Sequence, residues 1–140
     1  MSAILADTGA LVALLDRREQ YHAWAVAQAR ALHPPLLLCE PVLAELCFLL
    51  AATPGGISAV RACLANGAWR IDFSLITEWE RVFALMAAYS DQPMSLADAC
   101  VVRMAELHKE ARVFTLDAHF RVYRRNRRQL IPLIAPSEVQ

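Results

Sequence analysis

Ala3-Ile4-Leu5-Ala6-Asp7-Thr8-Gly9-Ala10-Leu11 is the stretch from which the rest of the chain is read. A short apolar run suited to a strand ends on a carboxylate, and a helical pattern begins two residues later. The same alternation recurs to the end of the chain. Strands are predicted over 3–6, 36–39, 69–73, 112–115 and 130–134, and helices over about 9–15, 19–32, 41–52, 56–65, 75–89 and 96–109. Short β-compatible runs alternating with longer helical patterns imply βαβ units, hence an α/β fold with a parallel sheet and helices on both faces. The second, fourth and fifth strands are nearly unbroken apolar runs, as strands covered on both sides should be. Local signals agree: Pro41 suits a first helical turn, Ser95-Leu96-Ala97-Asp98 fits a capping box, and Pro54-Gly55-Gly56 and Asn66-Gly67 mark turns.

The 140 residues suffice for one domain, expected to span 1–140, and are too few for two cores. With 57% hydrophobic and 20% charged residues, disorder and low-complexity architecture are excluded. Fourteen basic residues balance fourteen acidic ones, so no overall charge draws the chain to polyanions. The distribution is uneven: residues 1–120 carry nine basic and thirteen acidic side chains (net −4), and 121–140 carry five and one (net +4). Cys39, Cys47, Cys63 and Cys100 form no C-x-x-C pair and have apolar neighbours, which suits buried free thiols. Neither they nor the isolated His22, His33, His108 and His119 have the clustering of a zinc site. The apolar start lacks a basic leader and contains Asp7, and no uncharged run is long enough to span a bilayer, so a cytoplasmic protein with no membrane partner is expected.

In open parallel α/β sheets, ligands bind beyond the carboxyl ends of the strands. Asp7 follows the first strand and Asp117 the fourth, so both fall at one edge. Glu45, in Val42-Leu43-Ala44-Glu45-Leu46, and Asp98, in Leu96-Ala97-Asp98-Ala99, lie near helix starts among apolar residues with no Lys or Arg beside them. Each acid has a plain alternative. Asp7, Asp98 and Asp117 suit helix caps, and Glu45 suits a distant arginine or solvent. Convergence weighs against those alternatives, because four carboxylates at one edge repel by several kcal/mol unless a cation joins them. All-oxygen ligation selects Mg²⁺ or Mn²⁺, which suits phosphodiester cleavage by an ion-activated water.

Asp7-Thr8-Gly9-Ala10-Leu11, Glu45 and Asp98 in the segments above, and Thr115-Leu116-Asp117-Ala118-His119-Phe120 together resemble the PIN-domain nucleases, specifically the VapC-type toxin ribonucleases of toxin–antitoxin pairs. The resemblance covers essentially the whole chain. It implies a three-layer α/β/α sandwich with a central parallel sheet of four to five strands. Asp7, Glu45, Asp98 and Asp117 would line a Mg²⁺ or Mn²⁺ site that cuts RNA, with Thr8 and Thr115 ordering the acids. It also implies a homodimer and an antitoxin protein that inserts a peptide into the groove. All four acidic positions are filled here.

Arg121-Val122-Tyr123-Arg124-Arg125-Asn126-Arg127-Arg128 is the most basic stretch. It reads either as a solvated helix end or loop, or as a phosphate-binding segment in which Arg121, Arg124 and Arg125 hold RNA and Tyr123 stacks on a base. Tyr21, His22, Trp24, Leu49 and Leu50 are read as core residues, with an exposed partner surface as the alternative. Two rivals to a nuclease remain. One is a noncatalytic RNA- or protein-binding module whose acids are caps. The other is phosphoryl transfer through Asp7, disfavoured because the one lysine, Lys109, sits at the far end of its helix.

Overall fold

The computed structural model describes residues 2–139. Strands β1 (Ile4–Ala6), β2 (Leu36–Leu38), β3 (Trp69–Ile71), β4 (Arg112–Phe114) and β7 (Leu133–Ile134) form an all-parallel sheet in the order β3-β2-β1-β4-β7. Ile4 lies level with both Leu36 and Arg112, and Val113 lies level with Leu133. Helices α1 (Thr8–Leu15), α2 (His22–Ala31), α3 (Glu40–Leu49), α4 (Gly56–Ala65), α5 (Leu75–Ala88) and α6 (Leu96–Leu107) cover it. This is the expected α/β architecture, a five-stranded parallel sheet flanked by helices. The chain builds outward from β1 to β2 and β3, then returns to place β4 on the other side of β1. The order therefore reverses between β1 and β4, and a crevice opens at their carboxyl ends.

One continuous hydrophobic core explains why these segments adopt these elements. All three residues of β1 and of β2 are buried, as strands covered on both faces require. Helix α6 lies closest to the sheet: Ala97, Ala99, Cys100 and Ala105 are small enough for close approach, and Val101, Val102 and Met104 fill the space between. Trp24 stacks on Phe114 with ring centroids 5.6 Å apart, so it is largely core, as is Leu50, whereas Leu49 is exposed. The four cysteines are free thiols, Cys39 and Cys100 buried and Cys47 and Cys63 half-buried.

The predicted boundaries change most in three places, and several other ends move by one or two residues. The second helix begins at His22, after a turn, and the third ends at Leu49. The predicted last strand over 130–134 is two strands, because Pro132 has no N–H to continue a ladder. Its first part joins a small antiparallel hairpin, β5 (Arg124–Arg125) with β6 (Gln129–Leu130), and β7 resumes in the main sheet, where the Pro132 carbonyl accepts the Val113 amide at 2.9 Å. The basic stretch begins on Arg121, the last residue of a 3₁₀ turn (Ala118–Arg121), and runs into this hairpin, turning through Asn126 and Arg127 at φ 50° and 70°.

Candidate active site

Asp7 stands at the N-terminus of α1 with extended backbone, yet its carboxylate makes no capping hydrogen bond, so a cap alone does not account for it. Its Oδ2 instead accepts from the hydroxyl of Thr115 at 2.9 Å. Thr115 is completely buried just beyond β4, and its Oγ1 also accepts the Asp117 amide at 2.9 Å. One threonine thus links the acid after β1 to the acid after β4. Asp117 caps the 3₁₀ turn, its Oδ1 accepting the His119 amide at 2.9 Å and lying 2.8 Å from His119 Nδ1. Asp98 completes the capping box of α6: Ser95 Oγ accepts its amide at 3.0 Å, and its Oδ2 accepts the Ser95 amide at 3.1 Å. The capping roles of Asp98 and Asp117 are real, and they aim both side chains into the crevice.

One carboxylate oxygen from each of Asp7, Asp98 and Asp117 lies within 4.8 Å of the other two. Glu45 stands outside this trio. Its residue is exposed rather than sunk among apolar neighbours, and its Oε1 accepts from Thr8 Oγ1 at 2.8 Å, which turns it toward the same crevice. The crevice encloses about 550 Å³, with Asp7, Thr8, Glu45, Ser95, Asp98 and Asp117 on its walls and Phe48 and Leu49 beside them.

The electrostatics are those of anions short of a counter-charge. Burial, followed by the charge of Asp98, pushes the Asp7 carboxyl up to about 7, against the opposing hydrogen bond from Thr115. Burial also raises Asp98, with Asp117 and Glu45 adding to it and the Ser95 bonds opposing. Among the described residues no Lys or Arg forms an ion pair with Asp7, Asp98 or Asp117. Three convergent carboxylate oxygens, hard donors with no Cys sulfur or His nitrogen in the group, fit a small divalent cation, whose cis and trans ligands lie roughly 3 to 4 Å apart at octahedral geometry.

The basic segment is placed differently from the acids. Arg121 is exposed. Arg124 turns its Nη1 onto the carbonyls of Arg121, Val122 and Tyr123 at 2.7, 2.8 and 3.1 Å, closing the 3₁₀ turn. Arg125 is half-buried, with Nε and Nη1 out of solvent. Tyr123 is fully buried, so it offers no surface for a base and the stacking role is withdrawn. His119, passed over as isolated, touches the cluster through Asp117; the Asp-x-His spacing at a strand end was the clue to it.

Residues 4–126 match the PIN domain. Over 126 residues, 86% of this chain and 92% of the relative, the sequence is 35% identical to ribonuclease VapC26 of Mycobacterium tuberculosis. The crystal structure of Mycobacterium tuberculosis VapC20, described as a sarcin–ricin loop cleaving toxin, shares the fold with a TM-score of 0.69 over 83% of this chain and 91% of that one, at 19% identity. A parallel sheet that reverses between β1 and β4, acids gathered at that point, and a match across most of its length make the chain a member of the PIN-domain family.

Proposed function

We propose that the protein is a Mg²⁺- or Mn²⁺-dependent endoribonuclease, the toxin of a toxin–antitoxin pair acting in the cytoplasm. The observation that carries this reading is the convergence of Asp7, Asp98 and Asp117 with no basic side chain to neutralise them. Its named relative is a ribonuclease, and the residues fit the ion such an enzyme would use. Asp7, Asp98 and Asp117 would hold the ion, Thr115 keeping the first and last in register and Ser95 orienting the second. When bound, the ion supplies a water of lowered pKa and charge stabilisation at the leaving 3′ oxygen. Glu45, held by the Thr8 hydroxyl, lines the same cleft, where it could orient that water. Arg121, exposed four residues after Asp117, would hold RNA phosphate, whereas Arg124 is engaged with backbone carbonyls.

The proposed partners are RNA, a second copy of the chain and an antitoxin protein. Phe48, 80% exposed, and Leu49 give the cleft an apolar lip that suits an inserted peptide. Among the described residues no helix is long and apolar enough to cross a membrane.

The test is a panel of RNAs incubated with and without Mg²⁺ or Mn²⁺, with the cut ends mapped. Cleavage should require the ion and stop in EDTA. Persistent cleavage in EDTA removes the mechanism. Tight RNA binding without ion-stimulated cleavage points instead to a noncatalytic module.

A further inference from the structure

A second concavity, of about 760 Å³, lies against the basic segment, and Arg121, Val122, Arg124, Leu130 and Leu133 line it. No acid does. Its cations are not neutralised from within the chain: among the described residues neither Arg121 nor Arg124 forms an ion pair, nor do Arg125, Arg127 and Arg128 that follow. Five positive charges within eight residues repel one another and favour an anionic partner. Arg124 commits only Nη1 to backbone carbonyls, so the rest of its guanidinium is left to donate.

The apolar part of the lining is in water. Leu130 is 67% exposed and Val122 45%. Beside them the main sheet ends on β7. Its ladder to β4 uses the carbonyls of Pro132 and Ile134, which accept the Val113 and Thr115 amides at 2.9 and 3.1 Å. Alternation along a strand turns the N–H and C=O of Leu133 the other way, toward an edge with no further strand.

These features select the occupant. RNA phosphate would answer the arginines, but no aromatic lines the cavity and aliphatic side chains give a base nothing to stack on. A small anion would leave Val122 and Leu130 in water. A protein segment meets all the demands: carboxylates for the arginines, aliphatic side chains for Val122 and Leu130, and backbone groups for the Leu133 edge. The same acidity keeps such a segment out of the crevice of Asp7, Asp98 and Asp117, where like charges repel.

We propose that this groove binds an extended segment of a second protein that carries both acidic and aliphatic side chains. The inference stands apart from the metal-site reading, since neither the acids nor an ion takes part. The bound segment would cover Arg121, so it and RNA phosphate would compete for that side chain.

The experiment selects a display library of random dodecapeptides on the full-length protein. The strongest binder, synthesised with a fluorophore, is titrated into wild type and Leu130→Glu, and its footprint on wild type is mapped by amide shifts in NMR. Enriched sequences should combine Asp or Glu with Leu, Ile or Val, and the shifts should fall within 118–133. Leu130→Glu should keep the wild-type Tm and bind the peptide at least about tenfold more weakly, because it replaces an apolar contact with a like charge. No enrichment, enrichment without acidic residues, or equal affinity in both proteins overturns the inference. If the variant melts earlier, the wild-type footprint decides: shifts within 118–133 uphold the inference, and shifts centred on Asp7 and Asp98 overturn it. A short single-stranded RNA that shifts 118–133 while no peptide does makes this a nucleic-acid face and overturns it too.

Discussion

Thr115 connects the two acids farthest apart along the chain, donating to Asp7 and accepting from the Asp117 amide. Thr115→Val keeps its shape and removes both bonds. It should destabilise the fold by about 1–2 kcal/mol, the cost of two buried groups each losing a partner, and lower cleavage at least tenfold; urea unfolding and initial rates check this. Asp7→Asn should act oppositely on stability. Removing a charge that burial and Asp98 oppose should raise the Tm in EDTA at pH 8, while cleavage is lost. Asp7, Asp98 and Asp117 were legible in the sequence because each sits at an element boundary whose local rules also aim it at the strand ends. Two features were not. Whether Glu45 is buried depends on helix phase and on what packs beside α3, and an aromatic among arginines looks like a base-stacking residue until the fold puts it inside.

At the scale of elements, Glu106 ties the hairpin to the helices. Its side chain is 2% exposed and accepts from Arg81 at 3.0 and 2.8 Å, from Arg103 at 3.1 Å and from the Asn126 amide at 2.7 Å. Although burial opposes the charge, these donors hold the carboxyl below the usual carboxylate range. Glu106→Ala leaves two arginines and an amide without their acceptor. Since Arg81 and Arg103 are partly solvated, the expected cost is about 2–3 kcal/mol, with faster amide exchange through 124–130; denaturant unfolding and hydrogen exchange measure both. Strands β1 and β2 are legible because two-sided burial demands an apolar run, which the sequence displays, whereas edge strand β3 buries only Trp69. The β5–β6 hairpin carries no such mark: its strands are two residues long, its turn uses left-handed Asn126 and Arg127 without a glycine, and Pro132 divides an otherwise apolar run.

For the molecule as a whole, the acid cluster sets how stability responds to pH. The unfolded chain releases the Asp7 proton near the ordinary 3.8, whereas the folded chain holds it to about 7. The stability this group contributes is therefore fully present below about pH 4 and is lost as pH rises through 7. Asp16, held at about 2 by Arg18, and Glu106 work in the opposite direction and only at lower pH. Thermal unfolding in EDTA should thus show a Tm falling from pH 5 to pH 8. Millimolar Mg²⁺ or Mn²⁺ should flatten that fall, and Asp7→Asn should flatten it without any ion. The hydroxyl-to-carboxylate bond between Thr115 and Asp7 also spans 108 residues. The two ends of that bond come from opposite sides of the sheet's reversal, so the first acid finds its neighbours only once the segment through Asp117 has folded back beside β1, and the cleft forms with the tertiary fold and not with any one βα unit.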